Sequence, residues 1–250
     1  MDLKGKICLI TGGTSGIGAA TALLLAQQGA HIAVAARTQD KTSLPPLQSA
    51  VEGCGSKFVF IQADVGTIDG CTHCVERTHA AMGGLDVLIH SAGGAAPGCL
   101  MEVTEEVWQK AFDVHVHAVF RLCRAAVTRM KEKKQGAIIL ISSAAGLRGC
   151  LGALAYGVVK GSLPQFARAL ARELADDNIR VNCVSPGIIS TPFQNFRKPK
   201  QVENDINNRI PLHHEGRPED VARIIVELVS NEFITGENVV IDGGMSMRIV

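Results

Sequence analysis

Residues 6–30 read KICLITGGTSGIGAATALLLAQQGA: a short Ile/Leu run, a glycine-rich turn, then an Ala/Leu-rich helical pattern. Gly12, Gly13, Gly16 and Gly18 let the backbone turn sharply and approach a ligand closely, with Thr14, Ser15 and Ile17 between and beside them. The helix that follows offers unpaired N–H groups and a positive dipole end to a pyrophosphate. No lysine follows as a phosphate-binding P-loop requires, and the spacing departs from GxGxxG, so ATP chemistry recedes. Taken alone, such a turn is also mere punctuation between a strand and a helix.

The same rhythm continues outward. KFVFIQA, LDVLIHS, AIILIS, IRVNCVS and VVID follow KICLIT and HIAVAA as short apolar runs separated by longer helical patterns. These runs lack polar alternation, as expected of parallel strands covered by helices on both faces. The expected fold is a single α/β domain over residues 1–250, a doubly wound parallel sheet in three layers. Helices are expected near 17–28, 68–82, 104–133, 153–176 and 218–230, with a shorter one after Pro45 and Pro46. The helix from 153 carries Gly157, Gly161 and Pro164, so packing must hold it and Pro164 is a place for a bend. Residues 191–216 hold no clear strand and are polar, the pattern of a functional lid.

Composition narrows the function classes. With 46% hydrophobic and 20% charged residues the 250-residue chain can bury a large core, and a net charge of +1 gives no field for nucleic acid or an anionic membrane. No apolar run approaches the ~20 residues of a membrane span, and MDLKGK does not open a secretory signal, so the cytoplasm is the expected compartment. Eight cysteines then read as buried small hydrophobes or free thiols. Cys71 and Cys74 form a CxxC, but Ile68, Cys71, Val75, Thr78 and Met82 recur at helical spacing. Packing is the expected role, since structural zinc needs four ligands and no second CxxC exists.

Two further features point to a nucleotide. The second strand is followed by Arg37 and Thr38, where an acid would accept from a ribose and an arginine would pair with a 2′-phosphate. NADP(H) is therefore favoured over NAD(H). Asp64, with Val65 after it, ends the third strand, placed either to accept from an adenine amino group or to cap the next helix. Tyr156 and Lys160 stand four apart on one helix face, where an ammonium would lower the phenol's pKa and enable proton transfer to or from an alcohol.

TGGTSGIG, the Ser142-Ser143 pair, the YxxxK at Tyr156 and the Pro186-Gly187 turn together resemble the short-chain dehydrogenase/reductase family over nearly the whole chain. The family's serine usually lies thirteen residues before its tyrosine, which selects Ser143 over Ser142. The resemblance implies hydride transfer between nicotinamide C4 and a carbonyl carbon, with Tyr156 as general acid or base and Ser143 holding the oxygen. Lys160 would lower the tyrosine pKa and bind the nicotinamide ribose. By the same resemblance Ile189 and Thr191 lie near the carboxamide, Ala92 and Gly93 line the cofactor groove, and assembly is tetrameric or dimeric through the long helices and the last strand.

Two local patterns depart from that family. His115 stands where an asparagine usually holds a water linked to the lysine, and the fourth-strand motif, commonly NNAG, reads His90, Ser91, Ala92, Gly93. His115 is expected to join the proton relay, since imidazole both donates and accepts, while His90 and His117 are expected to be structural. The resemblance implies a small ketone or secondary alcohol as the expected substrate; 3-oxoacyl thioesters, sugar or polyol ketones and ring ketones all remain open. Its pocket is expected to use the loops 94–100, 145–153 and 192–212, including Phe193 and Phe196, with Arg197 and Lys198 as solvated surface. The alternative is a nicotinamide-binding sensor or scaffold of the same fold with impaired chemistry.

Overall fold

The computed structural model describes residues 1–39, 42–195 and 197–247; Phe196 and the last three residues of the C-terminal run lie outside them. Its strands are β1 (Ile7–Thr11), β2 (His31–Ala36), β3 (Phe58–Gln62), β4 (Val87–His90), β5 (Gly136–Ile141), β6 (Ile179–Pro186) and β7 (Asn238–Ile241). They form one seven-stranded sheet in the order β3-β2-β1-β4-β5-β6-β7. Every pairing is parallel. The helices are α1 (Gly16–Gln27), α2 (Leu44–Gly53), α3 (Ile68–Met82), α4 (Glu105–Phe112), α5 (Ala118–Lys133), α6 (Leu154–Leu174), α7 (Pro199–Asn204) and α8 (Pro218–Ser230).

Alternate side chains of each central strand enter opposite cores. Leu9 and Leu88 pack with Cys71, Leu122 and Leu163 under α3, α5 and α6. Cys8, Ile10, Val87 and Ile89 pack with Leu25, Leu47 and Ile225 under α1, α2 and α8. Period-two geometry with both faces buried is why the strands read as unbroken apolar runs. A third, smaller cluster joins Ala111 of α4 to Ala155 and Val159 of α6, with Trp108, Phe112 and Tyr156 against it.

The structure corrects several expectations. The helix expected over 104–133 is interrupted by a π-helical turn, Asp113–His117, closed by Ala118 N–H bonding Asp113 O. One extra residue per turn there rotates His115 inward, where it is buried. The short helix begins at Leu44, with Pro45 and Pro46 inside its first turn, where a proline's missing N–H costs nothing. Ile68 at the head of the α3 stripe is exposed, and Cys74 is buried in its place. Cys71 and Cys74 do pack in the core, and burial pushes their thiols up to about 11 and about 12. Residues 191–216 contain α7 and a second π-helical turn, Asp205–Arg209, and Ile189 pairs with Gly216 in an isolated parallel bridge.

Arg180 of β6 shows how a buried charge is accommodated. Its guanidinium donates to Leu228 O at 2.6 Å, Val229 O at 2.5 Å and Ile234 O at 3.1 Å. Two of these carbonyls are orphans of the last turn of α8, whose dipole also favours a cation there. Asn182 continues the clamp, donating to Ile234 O and accepting from Glu237 N–H. Arg180→Leu strands these acceptors in the core, at an expected cost of about 2–4 kcal/mol. Thermal melting should record a fall of ~5–10 °C; an unchanged midpoint would refute the clamp.

Candidate active site

The carboxyl ends of β1, β4, β5 and β6 open onto one cleft of about 1200 Å³. The crossovers from β1 and β4 leave in opposite directions, so no helix covers the sheet between them. Gly12 turns the chain there with φ +67, and a Cβ at Gly12 would lie 2.8 Å from the Ala92 backbone. The β1 and β4 turns therefore meet backbone to backbone. Ser15 begins α1 with no side-chain cap, leaving the helix N-terminus open to an anion. This close-walled cradle fits a dinucleotide, whose pyrophosphate would be held by Gly12, Ser15, Gly16 and Ile17. Ala92, Gly93, Pro186, Gly187, Ile189 and Thr191 line the same cleft farther along.

Ser143, Tyr156 and Lys160 come together on the opposite wall. Ser143 is the second residue after β5, and its Oγ accepts from Ala145 N–H at 3.2 Å as the cap of a 3₁₀ turn, Ala144–Gly146. Tyr156 and Lys160 project from the first two turns of α6. Lys160 is buried, and its Nζ donates to Ile141 O at 2.7 Å while lying 5.7 Å from the Tyr156 ring centroid. Burial lowers its ammonium to about 8, opposed by the nearby Cys183 thiol.

The phenol differs from the sequence expectation. Burial raises Tyr156 above its usual value, a hydrogen bond with Ser143 pulls the other way, and Cys150 adds to the rise. Desolvation outweighs the stabilisation of tyrosinate, and Lys160 directs its nearest bond to Ile141 O rather than to the phenol. The resting site thus holds a protonated phenol beside a serine hydroxyl, two O–H groups able to meet one carbonyl oxygen.

His115 lies edge-on to Tyr156, with ring centroids 5.8 Å apart. Its Nε2 is 3.0 Å from Gly94 O, an obligate acceptor, so Nε2 carries the proton; the longer 3.4 Å approach of Gly94 N–H is secondary. Nδ1 is then a buried lone pair without a protein partner. The ring also explains Gly93, where a Cβ would sit 2.4 Å from His115 Cε1. His90 is fully partnered: Thr11 Oγ lies 2.9 Å from Nδ1 and Val114 O lies 3.0 Å from Nε2. The two unusual histidines are thus joined through the π-helical turn. His117 stacks loosely on Phe112, centroids 6.3 Å apart, in a structural role.

Other expected residues stand apart from the cleft. Thr14, Arg37, Thr38, Asp64 and Val65 are not among its lining residues. Arg37 and Thr38 are exposed beyond β2, and Val65 is core. Asp64 makes an Asx turn, its Oδ1 accepting from Gly66 N–H at 2.9 Å, and Thr67 rather than Asp64 caps α3. Arg197 is not solvated surface: its side chain is 6% exposed, ion-paired with Asp205 at 3.1 Å and with Glu215. Lys198 is exposed as expected. Sequence reading did not anticipate Cys150 beside Tyr156, nor the bond from Ser142 to Lys160. Only Pro164, four residues after Lys160, signalled the second.

Comparison with known proteins identifies the family. The family model described as Enoyl-(Acyl carrier protein) reductase matches residues 12–246. The 3-oxoacyl-[acyl-carrier-protein] reductase FabG of Thermotoga maritima is 37% identical over 98% of this chain and 99% of its own length. The chain belongs to the short-chain dehydrogenase/reductase family. Human dehydrogenase/reductase SDR family member 4 is 35% identical over 99% of this chain and 90% of its own. L-sorbose reductase from Gluconobacter frateurii, solved with NADPH and L-sorbose, superposes with TM-score 0.91 at 32% identity over 100% of both chains. This short-chain dehydrogenase/reductase is an NAD(P)-dependent oxidoreductase acting on CH–OH or carbonyl groups of small molecules.

Burial of the two histidines sets a pH dependence. From the usual 6.5, desolvation lowers His90 to about 4 and His115 to about 2, with the Lys160 charge adding to both. Below pH 6.5 the unfolded chain binds protons that the folded chain refuses. Stability present above that value is lost as the pH falls, by ~1.4 kcal/mol per pH unit per imidazole. Melting between pH 7 and 4.5 should show this acid slope, flattened in His115→Asn; an equal slope in the variant would remove His115 from the account.

Proposed function

We propose that this enzyme uses NADP(H) to interconvert a ketone and a secondary alcohol, with Tyr156 as the general acid or base. The observation that carries the reading is the convergence of Ser143, Tyr156 and Lys160 on the wall facing the dinucleotide cradle. Bound nicotinamide would supply or accept the hydride at the carbonyl carbon. Ser143 Oγ–H donates to the carbonyl oxygen and fixes its position; the Tyr156 hydroxyl delivers its proton there as negative charge develops. A phenol held above its usual pKa stays protonated near neutrality, the form that donates a proton in the reductive direction. Lys160 holds its ammonium beside the tyrosine ring, where it would meet the nicotinamide ribose, and the neutral His115 offers Nδ1 as an acceptor to a water that would link the site to solvent.

Arg37 supports the NADP(H) part. Gly12 N–H donates to Ala35 O at 2.8 Å, so Arg37 extends only two residues beyond a direct bond to the pyrophosphate turn. Its exposed guanidinium is free of cleft walls and available to a 2′-phosphate, with Thr38 beside it, and the Asp64 side chain at the end of β3 would be the acceptor for the adenine, with Val65 packed in the core behind it.

Residues 191–216 act in this reading as the lid of a single domain spanning 1–250. Phe193 leans over Tyr156 with centroids 6.2 Å apart, and the Arg197–Asp205–Arg209 ion pairs brace the segment behind it. Eight free cysteines, five of them buried, suit a cytoplasmic setting. Phe120 on α5, Val158 on α6 and Val240 on β7 are exposed apolar groups suited to a homotetramer or homodimer. Among the described residues no helix is long and apolar enough to cross a membrane.

Tyr156→Phe should cut NADPH-dependent ketone reduction by ~10²–10⁴-fold, while calorimetry records NADPH binding within about threefold of the parent. Near-normal turnover would overturn the assignment, and NADPH binding without turnover of any ketone by the parent enzyme would favour the sensor. NADPH should raise the melting temperature more than NADH at equal concentration, and Arg37→Ala should abolish that difference. Equal shifts in the parent would exclude the 2′-phosphate contact.

A further inference from the structure

Ser142 takes no part in the proposed chemistry, yet it is 3% exposed and doubly bonded. Its N–H donates to Val184 O at 2.7 Å, which fixes it to β6. Its hydroxyl donates to Lys160 O at 2.6 Å, in the interior of α6. A carbonyl at that depth in a helix ordinarily receives the N–H four residues on. Here that residue is Pro164, which has no N–H and whose ring crowds the same carbonyl. The proline leaves the acceptor short of a partner, and Ser142 takes it.

The surroundings show that this seam is built for close approach. A Cβ at Gly146 would lie 2.6 Å from Gly161 N and from Lys160 C, and one at Gly161 would lie 3.0 Å from Gly146 O. The turn after Ser143 therefore touches the α6 backbone at the level of Lys160. The Lys160 side chain returns the contact through Ile141 O. Thus Ile141, Ser142 and Gly146 all fasten to one turn of α6, and Ser143 lies between them. A shift of the helix along this seam would move Tyr156 relative to Ser143.

We propose that Ser142 and Pro164 form a positioning pair: the proline frees the Lys160 carbonyl, and the serine hydroxyl captures it to lock Tyr156 and Lys160 against Ser143. The pair rests on the reading of those three residues as the reactive group, and neither member touches the reacting atoms. Its particular consequence is a dependence between two residues far apart in sequence. With alanine at 164, an ordinary helical N–H becomes available to Lys160 O, and the serine hydroxyl is no longer essential.

The test is a double-mutant cycle of Ser142→Ala and Pro164→Ala. Ser142→Ala alone should lower the melting temperature by ~3–8 °C, weaken NADPH binding ~5-fold and lower kcat ~10-fold. It should also displace the pH profile of kcat, because Lys160 and Tyr156 no longer hold their places. Pro164→Ala alone should remain close to the parent. The double variant should regain at least half of each loss and the parental pH profile. Simple addition of the two effects, or a Ser142→Ala enzyme with parental kcat and pH profile, overturns the pair. Should Ser142→Ala not fold, the double variant carries the test: folded and active supports the pair, and unfolded overturns it. If the parent enzyme reduces no ketone, the proposed reaction fails, while melting and NADPH affinity still decide whether Ser142 and Pro164 are coupled.

Discussion

The pairing of β1 with β4 is the constraint from which the site follows. Thr11 stands opposite His90 in that register, so the two strands end level and the turns just beyond them meet at Gly12 and the Ser91–Ala92 backbone. Because the connections from these strands depart to opposite sides of the sheet, the space above their ends has no covering helix. Parallel strands make such a gap unavoidable wherever the winding reverses, and dipole-bearing helix ends point into it. The rest of the cleft is assembled around this gap by β5 and β6, which deliver Ser143 and Pro186 to the same rim.

Within the cleft, burial governs protonation more than pairwise charge does. Lys160 is lowered to about 8, Tyr156 is raised, and both His90 and His115 are held neutral, each with desolvation as the leading cause. Their hydrogen-bond partners are mostly backbone carbonyls, Ile141, Val114 and Gly94, which satisfy donors without adding charge. A site of this kind favours the neutral form of each group. The π-helical turn at Asp113–His117 is part of the same arrangement, since it brings His115 against Gly93 and exposes Val114 O to His90.

Much of the fold was legible because a doubly covered parallel sheet leaves a strong imprint: seven apolar runs at regular intervals, and all seven are strands. The glycine turn, Tyr156 and Lys160 were legible for a similar reason, since their spacing is local and is set by a turn or a single helix, whereas Ser143 was legible only through the family resemblance. Less was visible where the outcome depended on contacts between distant segments. Arg197 read as surface, because nothing adjacent to it announces Asp205 and Glu215 as partners in a buried ion pair. Ile68 read as part of the buried stripe and is exposed, because helical spacing defines a stripe but not its angular offset against the core. The interruption of the helix at 113 was hidden, since a π turn preserves helical composition and costs only one residue of phase.

The sequence by itself determined the alternation of strands and helices, the dinucleotide-type turn and the Tyr156–Lys160 pairing, all of which follow from periodicity within one element. Tertiary structure alone decided how those elements meet. It placed Ser142 rather than Ser143 on the Lys160 carbonyl, and it raised the Tyr156 phenol where local spacing implied the reverse. The reason is physical: hydrogen-bond geometry and desolvation depend on what surrounds a group in space, and most of these surroundings come from residues remote in the chain.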